Sequence, residues 1–394
     1  MTDCLPSEWE YGYVSLNKHG EELCGDHIEE IKKGDGSLTL VLADGLGSGV
    51  KANILSTLTS TMLSTMIDGG LSLKEAVSSL VRTLPIAKDR GNVAYSTFTV
   101  VHANSDFTLS LYNYDNPEPI LLSMGKEVPL SWESIVLEGK KITSCTLSFR
   151  DFDTLLLMSD GVVYAGVGET LNFGWTRPEI VRYLEGVYAK SISSKSLSTI
   201  LLDRCSNLYN GRPGDDASVL ALRRRPRVQV SYLVGPATRK EDDAKVMKLF
   251  FMSEGKHLVS GGTSAHVVAS YLHQKIETTL DYEDPSIPPI SSIKGVDLVT
   301  EGVITLNKLV QLAQDYLGQN QAYFTWSYKQ DGASLLAQAL FEEASDILFY
   351  VGCAVNPAHQ DPRLNITIST KIGLVSELTR SLQKMGKRIK VAYF

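Results

Sequence analysis

Hydrophobic positions follow two different patterns along the chain. Up to about residue 225, apolar runs of strand length occur in adjacent groups, with a few helical patterns set apart between them. From residue 226 onward, strand-like and helix-like runs alternate. We therefore predict two domains, an α+β sandwich over residues 1–225 and an α/β domain with a mostly parallel sheet over residues 226–394.

The strand pattern of the first domain is clearest between residues 94 and 124. Polar turn residues, at 104–106 and 116–117, divide this stretch into three apolar runs. Three consecutive strands joined by short turns are typical of an antiparallel meander, which we predict here.

Two helices of the first domain carry start signals. Ser72 with Glu75, and Thr176 with Glu179, have the spacing of capping boxes. A further helix is predicted after Gly49, and its apolar positions at intervals of four predict a face directed to the core: Val50, Ile54, Leu58 and Met62.

Two segments of the chain are predicted to be solvated. The arginine-rich run at 222–227 is interpreted as a strand end leading into the linker between domains. The insert at 281–295, rich in proline and serine, is interpreted as a surface loop of the second domain.

Composition limits the possible partners and compartments. The 394 residues include 38 basic and 45 acidic side chains, a formal net charge of −7, which predicts no binding to nucleic acid or anionic lipid. No secretory signal and no membrane-spanning run is seen, so a cytoplasmic location is expected. The five scattered cysteines fit reduced thiols better than disulfides or a zinc site.

Four aspartates of the first domain each follow an apolar run or lie in a glycine-bearing turn: Asp26, Asp44, Asp160 and Asp215. Each alone is explained by a turn. However, LTLVLADG and FDTLLLMSDG read as strands buried on both faces, which would bring their carboxylates to the edge of a core. Converging carboxylates repel by about 4 kcal/mol per pair at 4 Å, so they must take up protons or cations. Oxygen ligands favour two Mg²⁺ or Mn²⁺ ions in a hydrolytic site.

The order of these motifs resembles a known family. G-D, D-G-x-G-x-G, S-D-G and D-D-x-S occur in that order in the metal-dependent type 2C protein phosphatases, specifically the bacterial branch of stage II sporulation protein E. The opening segments LNKHGEELCGDHIEE and VLADGLGSGVKAN are similar to the stressosome feedback phosphatases of that branch. The resemblance covers residues 10–222. It implies a serine/threonine phosphatase whose two antiparallel sheets lie between helices.

The resemblance also implies roles for the aspartates. Asp44 would bridge two Mn²⁺ or Mg²⁺ ions, with the Gly45 carbonyl and, through water, Asp26 serving one of them. Asp160 and Asp215 would hold the other. Asp44 and Asp160 are accordingly the expected catalytic residues, acting through a water held between the ions that attacks phosphorus in line.

Three positions near these motifs remain ambiguous. Leu46 occupies the place where eukaryotic relatives have a histidine that can protonate the leaving group, so no general acid is assigned. His27 is a candidate for that role, with a hydrogen-bonded histidine at the edge of the site as the alternative. Asp216 is interpreted as structural or as supporting the metal ligands.

The second domain resembles no family that we can name. Ligands of parallel α/β sheets bind beyond the carboxyl ends of the strands, where the turn Gly261-Gly262-Thr263-Ser264 and Glu301 are expected. Two interpretations of this glycine-rich segment are equally good. It binds a phosphate or carboxylate, or it is only a tight turn in which Thr263 or Ser264 is the N-cap of the following helix.

The leading hypothesis is a phosphatase acting on a phosphorylated signalling protein, by resemblance an anti-anti-sigma (STAS-type) or stressosome component in a stress response. A second hypothesis is a ligand-sensing or docking protein, whose C-terminal domain controls a weak or vestigial phosphatase half. A third makes the C-terminal half an enzyme in its own right. Two further partners are considered. One is a small anionic ligand on the C-terminal domain, and the other is a second copy of the chain in a homodimer.

Overall fold

The computed structural model describes residues 6–83, 86–87, 93–94, 96–278, 287–354 and 368–394. It divides into two compact units, Pro6–Pro226 and one formed mainly by Arg227–Phe394. The division lies one residue from the boundary that the sequence pattern predicts. Each unit is described separately below.

The N-terminal unit contains thirteen described strands in two main sheets. Their bounds are β1 Ser7–Leu16, β2 Asp26–Lys32, β3 Leu38–Gly45, β4 Ile86–Ala87, β5 Val93–Ala94, β6 Ser96–Ala103, β7 Thr108–Tyr114, β8 Ile120–Ser123, β9 Lys126–Val128, β10 Glu133–Leu137, β11 Lys140–Ser148, β12 Thr154–Met158 and β13 Ala217–Pro226. One sheet has the order β1-β13-β12-β8-β9 and the other β10-β11-β7-β6-β3-β2, while β4 and β5 form a separate pair. Neighbouring strands in both sheets are antiparallel.

Five described helices accompany these sheets: α1 Gly49–Asp68, α2 Leu73–Thr83, α3 Asp160–Val163, α4 Arg177–Val187 and α5 Ser194–Leu208. Leu40 and Leu157 belong to the apolar core between the two sheets. A second core joins one sheet to α1 and α2, and a third joins the other sheet to α4 and α5. The predicted α+β sandwich flanked by helices is therefore confirmed.

Both predicted capping boxes are present. At the start of α2, the Ser72 N–H donates to Glu75 Oε2 at 2.9 Å, and the Glu75 N–H donates to Ser72 Oγ at 3.3 Å. Thr176 and Glu179 make the same reciprocal pair at α4. These contacts satisfy N–H groups that helix formation leaves without partners.

The predicted meander over residues 94–124 is wrong in its third strand. Strands β6 and β7 pair as a hairpin, but β8 pairs with β12 and β9 in the other sheet. The chain changes sheets at Asn116, whose side-chain amide donates to Leu42 O and Thr99 Oγ1, and then passes through two prolines. Since proline has no N–H for a strand ladder, the hairpin cannot continue there.

The predicted core face of α1 is also wrong. Val50, Ile54 and Leu58 are 62%, 58% and 50% exposed. The opposite face is buried, and it consists of small or polar residues followed by two larger apolar ones: Ala52, Ser56, Thr59, Ser60, Leu63, Ser64 and Ile67. Small side chains let the helix lie close to β2 and β3, so close backbone packing decided the orientation of the helix.

The arginine run at 222–227 is not a solvated linker. It continues β13 to Pro226 in register with β1. Arg223 is buried and its Nε donates to Thr154 Oγ1 at 2.8 Å, while Arg225 pairs with Glu10 at 2.7 Å. Arg224 pairs with Asp151 at 2.8 Å. Carboxylate and hydroxyl partners inside the fold make burial of these guanidinium groups possible.

The C-terminal unit contains a seven-stranded sheet. Its strands are β14 Gln229–Val234, β15 Lys256–Ser260, β16 Glu277–Thr278, β17 Ser291–Ser292, β18 Leu298–Thr300, β19 Asp346–Val351 and β20 Arg388–Tyr393, in the order β16-β17-β18-β15-β14-β19-β20. Five adjacent strands are parallel to one another, in the order β18-β15-β14-β19-β20. The short strands β16 and β17 pair antiparallel at one edge of the sheet. The predicted mostly parallel sheet is confirmed.

The helices of this unit are α6 Asp243–Met252, α7 Gly262–Leu272, α8 Val303–Leu317, α9 Tyr323–Trp326, α10 Gly332–Ala337 and α11 Ile368–Lys384, with a 3₁₀ turn at Lys240–Asp242 and a π-helical turn at Gln338–Glu343. The predicted surface loop 281–295 is wrong in part, because Ser291–Ser292 joins the sheet and Ile293 is buried. Residues 281–286 of that insert lie outside the described residues. In the ranges that the structure describes, no helix is long and apolar enough to cross a membrane.

Candidate metal-dependent phosphatase site

The Asp-Gly dipeptides of the N-terminal unit are points of close backbone contact. A Cβ atom on Gly45 would lie 2.0 Å from the carbonyl oxygen of Ala52 in α1, and one on Gly161 would lie 2.0 Å from the carbonyl oxygen of Asp216. Neither glycine has a positive φ. The glycines are therefore required by neighbouring backbone and not by turns, and they let Asp44 and Asp160 approach other elements closely.

Asp26 and Asp44 lie opposite each other on adjacent strands. They are partners in the register of β2 and β3 and therefore point to the same face of the sheet. Leu42, two residues before Asp44, belongs to the core between the sheets, so this face looks toward the second sheet. The two carboxyl groups thus reach the end of the space between the sheets.

Burial and mutual repulsion change the pKa values of both groups. Burial, followed by repulsion from Asp26 and other aspartates, raises the pKa of Asp44 to about 9. Burial also raises the pKa of Asp26 to about 7, against the opposing effect of hydrogen bonds from two serines. The cluster therefore holds protons in the pH range where isolated carboxylates are charged.

Ser159 fixes Asp26 in this arrangement. Its Oγ donates to Asp26 Oδ2 at 2.6 Å and accepts the Ser218 N–H at 2.9 Å. The hydroxyl thus links β2 of one sheet to β13 of the other. No role was predicted for Ser159 or Ser218, and the available signal was their position inside the S-D-G and D-D-x-S motifs.

Asp160 and Asp215 complete the group of predicted ligands. Asp160 is the first residue of α3, and its carboxyl group lies near that of Asp44, whose hydrogen-bonding effect opposes part of the rise in the pKa of Asp160. Burial, then repulsion from Asp215, raises the pKa of Asp160. Burial likewise raises the pKa of Asp215, partly offset by the Asp216 N–H and by the positive charge of Lys18.

Asp216 is buried next to this group. Its Oδ1 accepts the backbone N–H of Lys18 at 2.9 Å, and its Oδ2 lies 2.7 Å from the position of a Cβ atom on Gly25. Asp216 therefore holds the segment that leads from β1 toward Asp26. The close contact at Gly25 explains why glycine precedes Asp26.

The chemistry of these side chains fits divalent cations. All five aspartate side chains offer oxygen, and Asp26 Oδ1 and Asp216 Oδ2 are buried without a hydrogen-bond partner among the described residues. A buried carboxylate oxygen without a partner is costly unless a proton or cation occupies it.

Which aspartates bind each metal ion is still a prediction. Over the described ranges, no three His, Cys, Asp or Glu side chains are arranged so that they could hold a metal ion. Asp26 and Asp44 are nevertheless direct partners across β2 and β3. Such a pair is compatible with cation binding, because Mg²⁺ is commonly bound through one or two carboxylates and retains several waters.

Two other side chains near the site, those of His27 and Cys24, supply no reactive group to it. His27 follows Asp26 in β2 and points to the opposite face, where its Nδ1 is 2.8 Å from Ser60 Oγ of α1. It is the hydrogen-bonded histidine of the alternative interpretation. Burial, with repulsion from Asp26 and Asp216, raises the pKa of the Cys24 thiol far above its usual range, which leaves no reactive thiolate.

The predicted ligand residues of the C-terminal unit lie at the carboxyl ends of β15 and β18. Gly261 and Gly262 link β15 to α7, and Ser264 lies in the first turn of that helix. Glu301 follows β18 directly. Neither Thr263 nor Ser264 caps the helix, because the N-cap residue is Gly261 and it makes no side-chain hydrogen bond.

Comparison with known proteins gives a family match within the N-terminal unit. Residues 34–225 match the family model of Stage II sporulation protein E (SpoIIE). No curated protein shows significant similarity to the chain.

Several solved structures are similar to part of the chain. The phosphatase domain of the cell fate determinant SpoIIE from Bacillus subtilis, with a fragment of its regulatory domain, matches at 17% identity and a TM-score of 0.48. That match covers 56% of this chain and 64% of the other, which is less than two thirds. The RsbU and RsbW domains of a Mycobacterium tuberculosis protein match at 18% identity and a TM-score of 0.45, covering 63% and 68%.

RsbX in complex with magnesium matches at 20% identity and a TM-score of 0.39, covering 56% of this chain and 99% of the other. The match to the family model spans the segments that carry Asp44, Asp160 and Asp215. Residues 34–225 therefore identify a type 2C protein serine/threonine phosphatase domain of the stage II sporulation protein E family within the N-terminal unit.

Proposed function

We propose that the N-terminal unit hydrolyses phosphoserine or phosphothreonine on a bacterial signalling protein, with two Mn²⁺ or Mg²⁺ ions as cofactors. One observation carries the proposal. Carboxyl groups at strand ends of both sheets, that of Asp26 buried and those of Asp44, Asp160 and Asp215 half-buried, have pKa values raised by burial and by neighbouring carboxyl groups. Such a cluster gains most from divalent cations.

Different aspartates would bind each of the two ions. When bound, the two cations would acidify a water for in-line attack on phosphorus and neutralise charge on the phosphoryl oxygens. Asp44, with Gly45 and Asp26, would position one ion, and Asp160 with Asp215 the other. Asp44 would serve both, because its carboxyl group contacts that of Asp160 and its strand pairs with that of Asp26.

Supporting residues would keep the ligands preorganised. Ser159 holds one oxygen of Asp26, which leaves the other oxygen free to receive a cation or its water. Asp216 anchors the chain before Asp26 through the Lys18 N–H. No covalent phospho-enzyme is needed, in agreement with the protonated state favoured for Cys24.

The substrate we propose is a phosphorylated STAS-type or stressosome-like protein. The support is the motif order and the opening segments, which are similar to those of stressosome feedback phosphatases. The test compares phosphate release from a phosphorylated STAS-type protein with release from an unrelated phosphoserine protein. We expect a clear preference for the first, and equal rates would contradict this part of the proposal.

The activity itself is tested with the full chain and a phosphoserine peptide. We expect no phosphate release in a chelating buffer and full release when Mn²⁺ or Mg²⁺ is added. Equal release in the chelating buffer would contradict the two-metal mechanism. Metal binding without turnover on any phosphoprotein would instead favour a regulatory protein with a vestigial phosphatase half.

A further inference from the structure

Two helices of the C-terminal unit begin at the same place. Strands β15 and β18 are parallel neighbours, and α7 and α8 follow their carboxyl ends through Gly261 and Gly302. The Gly261 N–H donates to the carbonyl oxygen of Thr300 at 3.0 Å. A Cβ atom on Gly302 would lie 3.5 Å from the Cα atom of Gly261, so the two helix starts lie side by side.

Neither helix start is capped by a side chain. The N-cap residues are Gly261, with φ of 107°, and Gly302. The first N–H groups of a helix have no partner within the helix, and they carry roughly half a positive charge. Gly262 and Thr263 are exposed, and a Cβ atom on Gly262 would meet nothing within 4 Å. The N–H groups of α7 thus face open space.

Ser264 provides a second and independent indication of a ligand. Its side chain is only 1% exposed, yet its Oγ has no hydrogen-bond partner among the described residues. That Oγ lies 3.6 Å from the position of a Cβ atom on Gly261, so it is directed to the start of α7. Leaving a buried hydroxyl without a partner costs about 1–3 kcal/mol. A ligand oxygen at the start of the helix would remove this cost.

The second helix repeats this arrangement. Thr305 occupies the position in α8 that Ser264 occupies in α7, three residues after the N-cap glycine. It is fully buried, and its Oγ1 also lacks a partner within the part of the chain that the structure describes. Two helix starts with two buried hydroxyls suit a doubly charged oxyanion better than a single carboxylate.

Glu301 defines a second feature of the ligand. Its Oε2 is buried without a partner among the described residues, and the residue lies between β18 and the start of α8. A carboxylate at this place would repel a second anionic group but would accept hydrogen bonds from hydroxyl groups. The ligand therefore needs hydroxyl groups on the part that reaches Glu301.

We propose that the C-terminal unit binds a phosphate monoester of a small polyhydroxylated molecule. The phosphate group lies at the starts of α7 and α8, with Ser264 and Thr305 as hydroxyl partners. A hydroxyl group of the carbon skeleton donates to Glu301. The site is built from residues of the C-terminal unit alone and is independent of the phosphatase activity proposed above.

Calorimetry on the full chain tests the proposal with ribose 5-phosphate, inorganic phosphate and ribose as probes. A chelating buffer keeps the N-terminal unit from turning the ester over. We expect saturable binding of ribose 5-phosphate, at least about tenfold weaker binding of inorganic phosphate, and none of ribose. Failure of both phosphate probes to bind would overturn the proposal.

A matched pair of variants locates the site. Gly262→Asp places a carboxylate in open space at the helix start and should weaken ribose 5-phosphate binding at least about tenfold. Gly262→Ala changes size without charge and should bind as the original chain does. Equal binding by both variants would place the ligand elsewhere and reject the proposal.

Two further variants separate this site from the other unit. Ser264→Ala should weaken binding about three- to tenfold without loss of the folded state, because it removes a hydroxyl that has no partner in the fold. Asp44→Asn, in the N-terminal unit, should leave binding unchanged. Loss of binding in Asp44→Asn would assign the ester to the phosphatase site and contradict the proposal.

Discussion

The two units concentrate charge in opposite ways. In the N-terminal unit, carboxyl groups from strand ends gather in a buried place and favour cations. In the C-terminal unit, two helix starts present backbone N–H groups and buried hydroxyls, which favour an anion. Side chains create the first site, whereas backbone geometry creates the second. The difference decides how each site responds to substitution, pH and added charge.

The glycines beside the two sites differ in the same way. Gly161 touches the backbone of Asp216, so a larger residue has no room. Gly262 borders open space. The N-terminal glycines are thus part of the packing that brings the carboxyl groups together, whereas packing does not require a glycine at position 262.

The largest expected effect is on the free energy of unfolding, when Gly161 and Gly262 are each replaced by alanine. Gly161→Ala would put a Cβ atom 2.0 Å from a carbonyl oxygen and should cost about 4 kcal/mol or more of unfolding free energy. Gly262→Ala should increase the unfolding free energy by less than about 1 kcal/mol, because alanine favours the helix. Denaturant unfolding of both variants is the measurement. Similar losses would remove the distinction between the two kinds of glycine.

A smaller effect is expected from pH. In the folded N-terminal unit, the pKa values of Asp26 and Asp44 are raised to about 7 and about 9. Between pH 4 and 9 the cation-free folded state therefore binds more protons than the unfolded state, so its stability falls as pH rises. The loss should build up progressively across this range, and divalent cations should reverse it most strongly at high pH.

The C-terminal unit should respond to pH in the opposite direction. Burial raises the pKa of Asp346, but hydrogen bonds from Arg227 and Ser345 outweigh it, and the pKa is lowered overall. The stability that ionised Asp346 contributes is fully present above the ordinary pKa of an aspartate. It is lost as pH falls through the lowered pKa of Asp346. Thermal unfolding of the full chain across pH, with chelator and with Mg²⁺, checks both signs. A cation effect that does not depend on pH would contradict the account.

The smallest effect concerns the charge of each site. In a chelating buffer above pH 9, where Asp44 is ionised, Asp44→Asn should raise the stability of the N-terminal unit by about 1 kcal/mol, because it removes a repelling carboxylate. Gly262→Asp should stabilise the C-terminal unit by a similar amount, because it adds a carboxylate at a helix start. Destabilisation by both substitutions in thermal unfolding would show that neither site has the polarity described here.

The sequence predicted the fold of the N-terminal unit better than the packing within it. The strands that lead to Asp44 and Asp160 have predominantly apolar patterns, so their burial between the layers was predictable. The orientation of α1 was not predictable from periodicity, since Val50 and Ile54 are exposed while Ser56 and Ser60 are buried. Close contact between helix and sheet favours small residues, and a hydrophobicity pattern does not register such contact.

Other features depend on partners that are distant in the chain. The arginines at 223 and 225 look solvated in sequence because their partners, Thr154 and Glu10, lie far away. The same reason hid the link from Ser159 to Asp26. In the C-terminal unit, the sequence indicated a turn at Gly261, but the neighbouring helix start at Gly302 emerges only from the pairing of β15 and β18.

The central claim is that the aspartates of the N-terminal unit form a divalent-cation-dependent phosphatase site. The most direct measurement is Mn²⁺-stimulated phosphate release from a phosphoserine peptide by Asp44→Asn. Its matched control is Asp203→Asn, which makes the same change on the exposed side of α5. We expect at least about a thousandfold loss, or about 4 kcal/mol of transition-state stabilisation, for Asp44→Asn, and an unchanged rate for the control. Undiminished release by folded Asp44→Asn would contradict the claim.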